Sequence, residues 1–179
     1  MPADRADDAA DHICTAVIRT PLGDMVAGAT RDAICLLEFG DRGRLERQFK
    51  TLRTLFGVPV IRGKHALFGR LRQQLSQYFE GKRTAFDIIL AYPGTGFQRK
   101  VWQALRDIPY GQTMSYGEVA RTVGKPGVAR AVGGANGSNR IAIIIPCHRV
   151  IAAGGGPGGY GGGLWRKLYL LELERSRTR

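Results

Sequence analysis

The sequence predicts an α+β protein in two parts, a small sheet with helices followed by a mostly helical domain that contains a helix-turn-helix. Three observations predict this order: short β-type runs come first, apolar residues then recur at helical spacing, and two short helices later in the chain flank a glycine-containing turn. A Pro- and Gly-rich stretch, Tyr92 to Gly96, is the best candidate linker. We therefore predict an N-terminal domain over residues 1–91 and a C-terminal domain over residues 92–179.

The N-terminal domain is predicted to place its strands before its helices. The predicted strands are Ile13 to Ile18, Met25 to Ala29 and Ile34 to Phe39; helical periodicity covers Leu45 to Phe56 and Leu67 to Phe79; and a last strand is predicted over Ala85 to Ala91. Residues 1–11 are rich in Ala and Asp and lack an apolar h-region, which predicts a disordered tail and not a secretory signal.

The C-terminal domain is predicted to be helical at both ends. A first helix covers Phe97 to Ile108, the S-x-x-E pattern from Ser115 to Glu118 starts a second at Tyr116, Pro126 opens a third that runs towards Ser138, and a last helix covers Leu164 to about Glu174. The second and third helices form the predicted helix-turn-helix. Helical hairpins that bind nothing have the same pattern.

Charge and cysteine usage limit the class of partner and the compartment. The formal net charge of +12 favours a polyanionic partner, nucleic acid ahead of a membrane surface, although solubility alone also explains it. Three cysteines without dense spacing predict a reducing compartment, which is the cytoplasm, with nucleoid association if the protein is bacterial. Zinc binding by His12, Cys14, Cys35 and His65 is disfavoured because no short paired spacing occurs, so no metal or cofactor is expected.

The segment Ile143 to Val150 is the best candidate for covalent chemistry. Its apolar run predicts a buried strand that ends at Cys147, and His148 follows directly as a candidate base. Adjacent side chains on a strand point to opposite faces, so contact between the two needs a turn or a bridging water. Glu172 and Glu174 both qualify as the carboxylate that orients the histidine, and periodicity does not choose between them. The alternative is an inert buried cysteine.

Ile145-Pro146-Cys147-His148-Arg149-Val150 resembles the active-site signature of the O6-alkylguanine-DNA alkyltransferases, also called methylated-DNA–protein-cysteine methyltransferases. Further segments resemble that family in its order and spacing: Phe97 to Trp102, Pro109 to Tyr116, Ala129 to Gly133 and Tyr160 to Leu164. The resemblance is strong from about Gly94 to Glu174. Before that it is weak, and depends mainly on Thr20-Pro21-Leu22-Gly23 and on the order of strands and helices.

The resemblance implies catalytic roles. Cys147 is the expected alkyl acceptor, and His148 the base that acts through a water and is oriented by Glu174. Asn139 is expected to tie the recognition helix to the active-site segment. Tyr116 is expected to crowd the 3′ phosphate and to protonate the departing guanine.

The resemblance also implies how DNA is bound. Arg130 is the expected finger that fills the gap left by a flipped nucleotide, and the small residues Ala129, Ala131 and Gly133 let the helix approach the minor groove. The base pocket is expected to contain Tyr160 as a wall, with backbone groups of Val150 and Gly161 reading the guanine edge. Position 161 departs from the serine that some relatives have there.

The implied function is DNA repair by a single-turnover methyltransferase. The protein is expected to transfer the alkyl group of O6-alkylguanine, and of O4-alkylthymine, from double-stranded DNA to Cys147 and so to inactivate itself. A monomer without membrane association is expected, and cooperativity on DNA stays open. The alternatives are a non-catalytic DNA-binding module, which Cys147 in its full motif disfavours, and a Cys-His-Glu hydrolase, for which the sequence shows no means of turnover.

Overall fold

A four-stranded sheet forms the first part of the chain. The computed structural model describes residues 12–177, so the tail predicted over residues 1–11 lies outside the described residues. The strands are β1 (Ile13–Thr20), β2 (Gly23–Ala29), β3 (Ile34–Phe39) and β4 (Val60–Arg62). They lie in the order β3-β2-β1-β4, and all pairs are antiparallel except β1 with β4. Gly23, at φ 101°, provides the left-handed backbone that closes the β1–β2 turn.

Two helices accompany the sheet. Helix α1 (Arg42–Phe56) ends at Gly57, which adopts the left-handed conformation and whose N–H donates to the carbonyl of Arg53. Helix α2 (Ala66–Phe79) begins at His65, whose side chain accepts from the N–H of Leu67. The apolar face of α2 packs in a core around Leu71 and Tyr78, which extends into the C-terminal half, whereas Leu52 of α1 packs in a second cluster with Ile13 and Leu36.

The second part of the chain is mostly helical. Its elements are α3 (Gly96–Arg106), β5 (Met114–Ser115), α4 (Tyr116–Thr122), α5 (Ala129–Gly137), a 3₁₀ turn (Cys147–Arg149), β6 (Val150–Ile151) and α6 (Leu164–Arg177). Thr95 with Gln98, and Ser115 with Glu118, form reciprocal capping boxes at the starts of α3 and α4. Helix α4 contacts α5, and both contact α3. The short strands β5 and β6 pair in parallel and bring the start of α4 beside the end of the 3₁₀ turn.

The predicted α+β fold class is confirmed, and so are the first three strands and the helices over 42–56, 66–79 and 96–106. The start of α4 at Tyr116 is also confirmed. Helix α5 begins at Ala129 and not at Pro126, because Gly127 adopts φ 88° and keeps the chain in a turn up to that point. The last helix continues past Glu174 to Arg177.

Two predicted strands are wrong, and three short strands, β4, β5 and β6, were missed. The stretch from Ala85 to Ala91 forms only a single bridge, between Leu90 and Ile34 at the open edge of β3. Ile143 to Ile145 form no strand either; the chain bridges β3 once, at Ile141, and then turns. Ile143 to Ile145 are buried, whereas the run from 85 to 91 is only partly buried and leaves Ile89 exposed, and neither run forms a continuous ladder. Strand β4 was not predicted because it has only three residues.

Candidate active site

The backbone before Cys147 makes a tight, buried turn. The N–H of Leu37 donates to the carbonyl of Arg140, and the carbonyl of Leu37 accepts from the N–H of Ala142, both at 2.8 Å. The N–H of Ile145 then donates to the carbonyl of Ile141. Ile143 lies at φ 72°, which is unusual for a β-branched residue, and packing on all sides holds it there at 1% exposure. Cys147 is thus delivered by a strained turn followed by a 3₁₀ helix.

Asn139 holds this turn and contacts the sulfur. Its Oδ1 accepts from the N–H of Ile141 at 2.9 Å, and its Nδ2 donates to the carbonyl of Ile145 at 2.8 Å. The same Nδ2 lies 3.2 Å from Cys147 Sγ, and nearby Asn136 Nδ2 lies 3.4 Å from the carbonyl oxygen of Cys147. Asn136 lies in the last turn of α5 and Asn139 lies two residues after its end, so hydrogen bonds connect this helix to the segment that contains Cys147.

The thiol of Cys147 is buried and protonated at neutral pH. Burial raises its pKa to about 11, although the hydrogen bond from Asn139 acts in the opposite direction. The histidine next in sequence therefore does not create a resting thiolate. Nucleophilic attack by this sulfur needs a base that removes its proton during the reaction.

The ring of His148 is paired with a buried carboxylate. Its Nε2 lies 2.8 Å from Glu174 Oε1, and both side chains are at most 1% exposed. Burial lowers the pKa of His148, against the opposing effect of Glu174, so the ring is neutral at pH 7. With the proton on Nε2 facing the carboxylate, Nδ1 carries a lone pair, and it accepts no hydrogen bond from any residue between 12 and 177.

Glu174, and not Glu172, is the carboxylate of this site. Glu174 accepts from Arg149 Nε at 2.8 Å and Nη2 at 3.0 Å, whereas Glu172 is exposed and pairs with Arg175. Burial raises the pKa of Glu174, but the hydrogen bonds and charges of His148 and Arg149 outweigh it, and the net pKa lies well below the usual range. The carboxylate is thus ionised over the whole physiological range.

Two further donors to Glu174 were missed by the sequence analysis. The hydroxyl of Tyr78, from helix α2, donates to Oε1 at 2.7 Å, and the N–H of Gly111 donates to Oε2 at 3.1 Å. Tyr78 is fully buried, and nothing in its sequence surroundings distinguishes it from an ordinary apolar-face residue of a helix. Only the packing of α2 against α6 brings it to the site.

A cavity of about 190 Å³ opens beside Cys147. Its lining contains half of the predicted site residues together with two charged residues of the N-terminal half: Cys147, Asn139, Tyr116, Gly133, Tyr160 and Gly161, with Glu38 and Arg44. Burial raises the pKa of both lining tyrosines, so each keeps its proton at neutral pH. The hydroxyl of Tyr160 has no hydrogen-bond partner within the described part of the chain and is available to a ligand.

Lys167 fixes the loop around this cavity, although the sequence did not mark it. It is fully buried on α6, and its Nζ donates to the carbonyls of Val150 at 2.5 Å and Gly159 at 3.2 Å. Burial lowers its pKa to about 8. Val150 itself does not line the cavity, and its carbonyl is engaged by Lys167.

The residues predicted to meet DNA, apart from Tyr116, lie in the first two turns of α5. Arg130 and Ala131 are exposed, Ala129 is half-buried, and Gly133 faces the ring of Tyr116 at the cavity. Arg130 forms no hydrogen bond or ion pair with another residue in the range 12–177. The structure thus leaves its guanidinium in solvent, while the rest of the predicted site converges on Cys147.

No group of three or more His, Cys, Asp or Glu side chains within residues 12–177 lies close enough to hold a metal ion. Cys14 and Cys35 are both buried and are not disulfide-bonded. Across the same residues, no helix combines the length and the apolar character needed to cross a bilayer.

Two family models match the chain and cover most of it. The model described as "6-O-methylguanine DNA methyltransferase, DNA binding domain" matches residues 96–176, and the one described as "6-O-methylguanine DNA methyltransferase, ribonuclease-like domain" matches residues 13–92. The chain belongs to the 6-O-methylguanine DNA methyltransferase family. The resemblance seen in the sequence is thereby confirmed, and the weakly marked N-terminal half is included.

Curated relatives agree with this assignment. A methylated-DNA–protein-cysteine methyltransferase of Methanosarcina barkeri is 53% identical over 165 residues, which is 91% of this chain and 98% of the relative. The protein of the same name from Mycobacterium bovis is 62% identical over 105 residues, or 59% of this chain. That match spans 64% of the Mycobacterium protein's length.

Solved structures share the whole fold. Mycobacterium tuberculosis OGT in complex with DNA superposes with a TM-score of 0.77 at 44% identity, covering 93% of this chain and 94% of that one. The O6-methylguanine-DNA methyltransferase of Pyrococcus kodakaraensis gives a TM-score of 0.64 at 25% identity, covering 90% and 98%. The two-part α+β architecture is therefore a property of the family.

Proposed function

We propose that this protein repairs DNA by moving the alkyl group of O6-alkylguanine onto Cys147 in one irreversible step. The observation that carries the proposal is a buried, hydrogen-bonded thiol at a cavity, beside a neutral histidine that an ionised carboxylate orients. Membership in the 6-O-methylguanine DNA methyltransferase family supports the same chemistry. The partner is double-stranded DNA with the damaged nucleotide flipped out, and O4-alkylthymine is a second substrate.

The proposed reaction begins with proton removal. Because the pKa of Cys147 is about 11, the thiol must lose its proton as it attacks. The lone pair on His148 Nδ1 accepts that proton through a bridging water, and Glu174 stabilises the imidazolium that forms. His148 can act as a base because Glu174 holds the proton on Nε2, which leaves the lone pair of Nδ1 to accept another proton.

Alkyl transfer then proceeds by displacement at the alkyl carbon. A bond forms between Sγ of Cys147 and that carbon, the bond from the carbon to O6 breaks, and its electron pair moves onto the guanine. Tyr116, whose raised pKa keeps its hydroxyl protonated, lines the same cavity and protonates the departing base. The product is a thioether, and no group at the site is able to cleave it, so each molecule acts once.

DNA binding is assigned to the helix-turn-helix of α4 and α5. Exposed Arg130 enters the duplex in place of the flipped nucleotide, while Ala129, Ala131 and Gly133 allow α5 to lie close to the minor groove. Tyr160 and the backbone of Gly161, which both line the cavity, hold the base, and the net charge of +12 adds sequence-independent affinity. The protein is proposed to act as a monomer in the cytoplasm, and at the nucleoid if the cell is bacterial.

The test uses a duplex with a single O6-methylguanine. After incubation, the intact protein mass should rise by one methyl group, the modified peptide should contain Cys147, and uptake should stop at one equivalent. Cys147→Ala should abolish uptake and keep duplex binding. An unmodified wild-type protein that still binds DNA would favour a non-catalytic binding module, and continued turnover would favour a hydrolase.

A further inference from the structure

Two charged side chains of the N-terminal half reach the cavity that contains Cys147. Glu38, on β3, and Arg44, in the first turn of α1, both line it. Arg44 Nε donates to Glu38 Oε2 at 2.7 Å, and Glu38 is only 1% exposed. Neither residue belongs to the motifs of the active-site segment, so the wall that they form has no assigned role.

The guanidinium of Arg44 is held at two of its three nitrogens. Nε is bound by Glu38, and Nη2 lies 3.4 Å from the carbonyl oxygens of Gly137 and Asn139. Asn139 is the residue that contacts the sulfur of Cys147. Nη1 donates no hydrogen bond to any residue that the structure describes, so its two N–H groups stay available to a ligand in the cavity.

Gly161 is the residue that admits this guanidinium. A Cβ at position 161 would lie 2.5 Å from Arg44 Cζ, 2.7 Å from Nη2 and closer still to Nη1. The backbone of Gly161 is not left-handed, so glycine is required here by space and not by φ. Because Arg44 is anchored to Glu38 and to the end of α5, a side chain at 161 must displace it from the cavity.

We propose that Arg44 is a substrate-contacting residue, whose Nη1 donates a hydrogen bond to O6 or N7 of the flipped alkylguanine, and that Gly161 makes room for it. This inference rests on the proposed function. Arginine most commonly recognises guanine through O6 and N7. As the bond from the alkyl carbon to O6 breaks, its electron pair moves onto the base, and a fixed cation beside that atom stabilises the charge. Arg44 keeps its protons throughout.

The first test measures alkylation of Cys147 with two substrates, a methylated duplex and free O6-benzylguanine, which has the purine but no phosphate. Arg44→Gln should slow both reactions by about 10- to 100-fold, the value of one hydrogen bond to a charged group. Because this change leaves Glu38 buried and unpaired, the double variant Glu38→Gln with Arg44→Gln keeps the site neutral and should slow both reactions to a similar degree. Arg42→Gln removes an exposed charge from the same helix and should leave the free-base rate unchanged.

The second test is a double-mutant cycle between positions 44 and 161. Gly161→Ala should slow the free-base reaction by displacing the guanidinium. Added to Arg44→Gln, the same change should have little further effect, because the group that it displaces is already gone. Independent, additive effects of the two changes would overturn the proposed pairing.

The outcomes separate this inference from the function on which it rests. If the wild-type protein takes up no alkyl group from either substrate, the proposed function fails, and the role of Arg44 fails with it. If the wild type reacts and the double variant reacts equally fast with free base, only the role of Arg44 is wrong. If the double variant reacts more slowly with the duplex but not with free base, Arg44 contacts a phosphate, and the proposed contact with the base is wrong.

Discussion

The two halves of the molecule contribute to one site in different ways. Residues 92–177 hold the sulfur, the histidine, the carboxylate and the cavity tyrosines, and all of these except the carboxylate of Glu174 lie in a recognisable motif. Residues 12–91 add Tyr78, Glu38 and Arg44, which come from a helix, a strand and a helix start without any motif. The comparison shows that residues close to the reacting atoms lie in recognisable sequence motifs. Residues that support them from elsewhere in the fold do not, because any surface that packs against the site can provide such contacts.

The predicted division of labour is that the C-terminal half provides the chemistry and the N-terminal half positions it. Changes in the C-terminal half should then affect the reaction most, and changes in the N-terminal half should act through orientation and stability, except at Arg44, which is proposed to contact the substrate directly. The predictions below test that ranking, beginning with the largest effect.

Glu174→Gln should have the largest effect of the four. The change removes the anion that orients His148 and leaves Arg149 buried without its charge partner, so transfer should fall by more than about 100-fold and stability by about 3 kcal/mol. Single-turnover mass spectrometry and urea unfolding measure the two quantities. Glu172→Gln is the matched control; its exposed pair with Arg175 should be worth less than about 1 kcal/mol. Equal effects at both positions would contradict the assignment of Glu174.

Arg130→Ala should reduce transfer from duplex DNA by about tenfold and leave the reaction with free O6-benzylguanine unchanged. The reason is that Arg130 is exposed and acts only on the nucleotide gap. Arg53→Ala, an equal loss of charge on the exposed side of α1, measures the nonspecific electrostatic part. If both variants repair duplexes at the same rate, Arg130 is not the finger.

Tyr78→Phe tests the N-terminal contribution to the same carboxylate. Loss of the 2.7 Å hydrogen bond to Glu174 should lower stability by about 1.5 kcal/mol and transfer severalfold. Tyr110 packs edge-on against Tyr78, but its hydroxyl has no hydrogen-bond partner within the described range. Tyr110→Phe should therefore be close to neutral. A Tyr78→Phe protein that is equally neutral would place all control of Glu174 in the C-terminal half.

The smallest effect is expected from mild acid. Because burial lowers the pKa of His148, the ring stays neutral and the transfer rate should hold from about pH 8 to about pH 6.5, the usual histidine value. Below that value the unfolded histidine binds a proton that the folded one does not, so stability should fall as pH falls towards the folded-state pKa. Rate and unfolding profiles against pH measure both. A rate that drops between about pH 8 and 7 would show a raised histidine pKa instead.

Much of the fold was predictable because local rules agree with the final structure. Capping boxes at Thr95 and Ser115 and left-handed glycines at positions 57 and 124 define helix ends wherever the chain folds. The errors lie at residues 85–91 and 143–145, where an apolar run indicates burial but not hydrogen-bond pattern. The same pattern of apolar side chains is compatible with a single bridge to the edge of β3 and with a full strand, so the pattern does not distinguish the two.

The sequence by itself determined the α+β class and the family, because these depend on periodicity and on contiguous motifs, and it predicted Cys147 as the reacting residue and α5 as the recognition helix. The tertiary structure alone decided which carboxylate meets His148 by geometry, that Cys147 is a buried thiol and not a resting thiolate, and that Tyr78 and Arg44 join the site. Each of the latter depends on burial or on contacts between residues far apart in the chain. Such contacts exist only after the two halves have packed together.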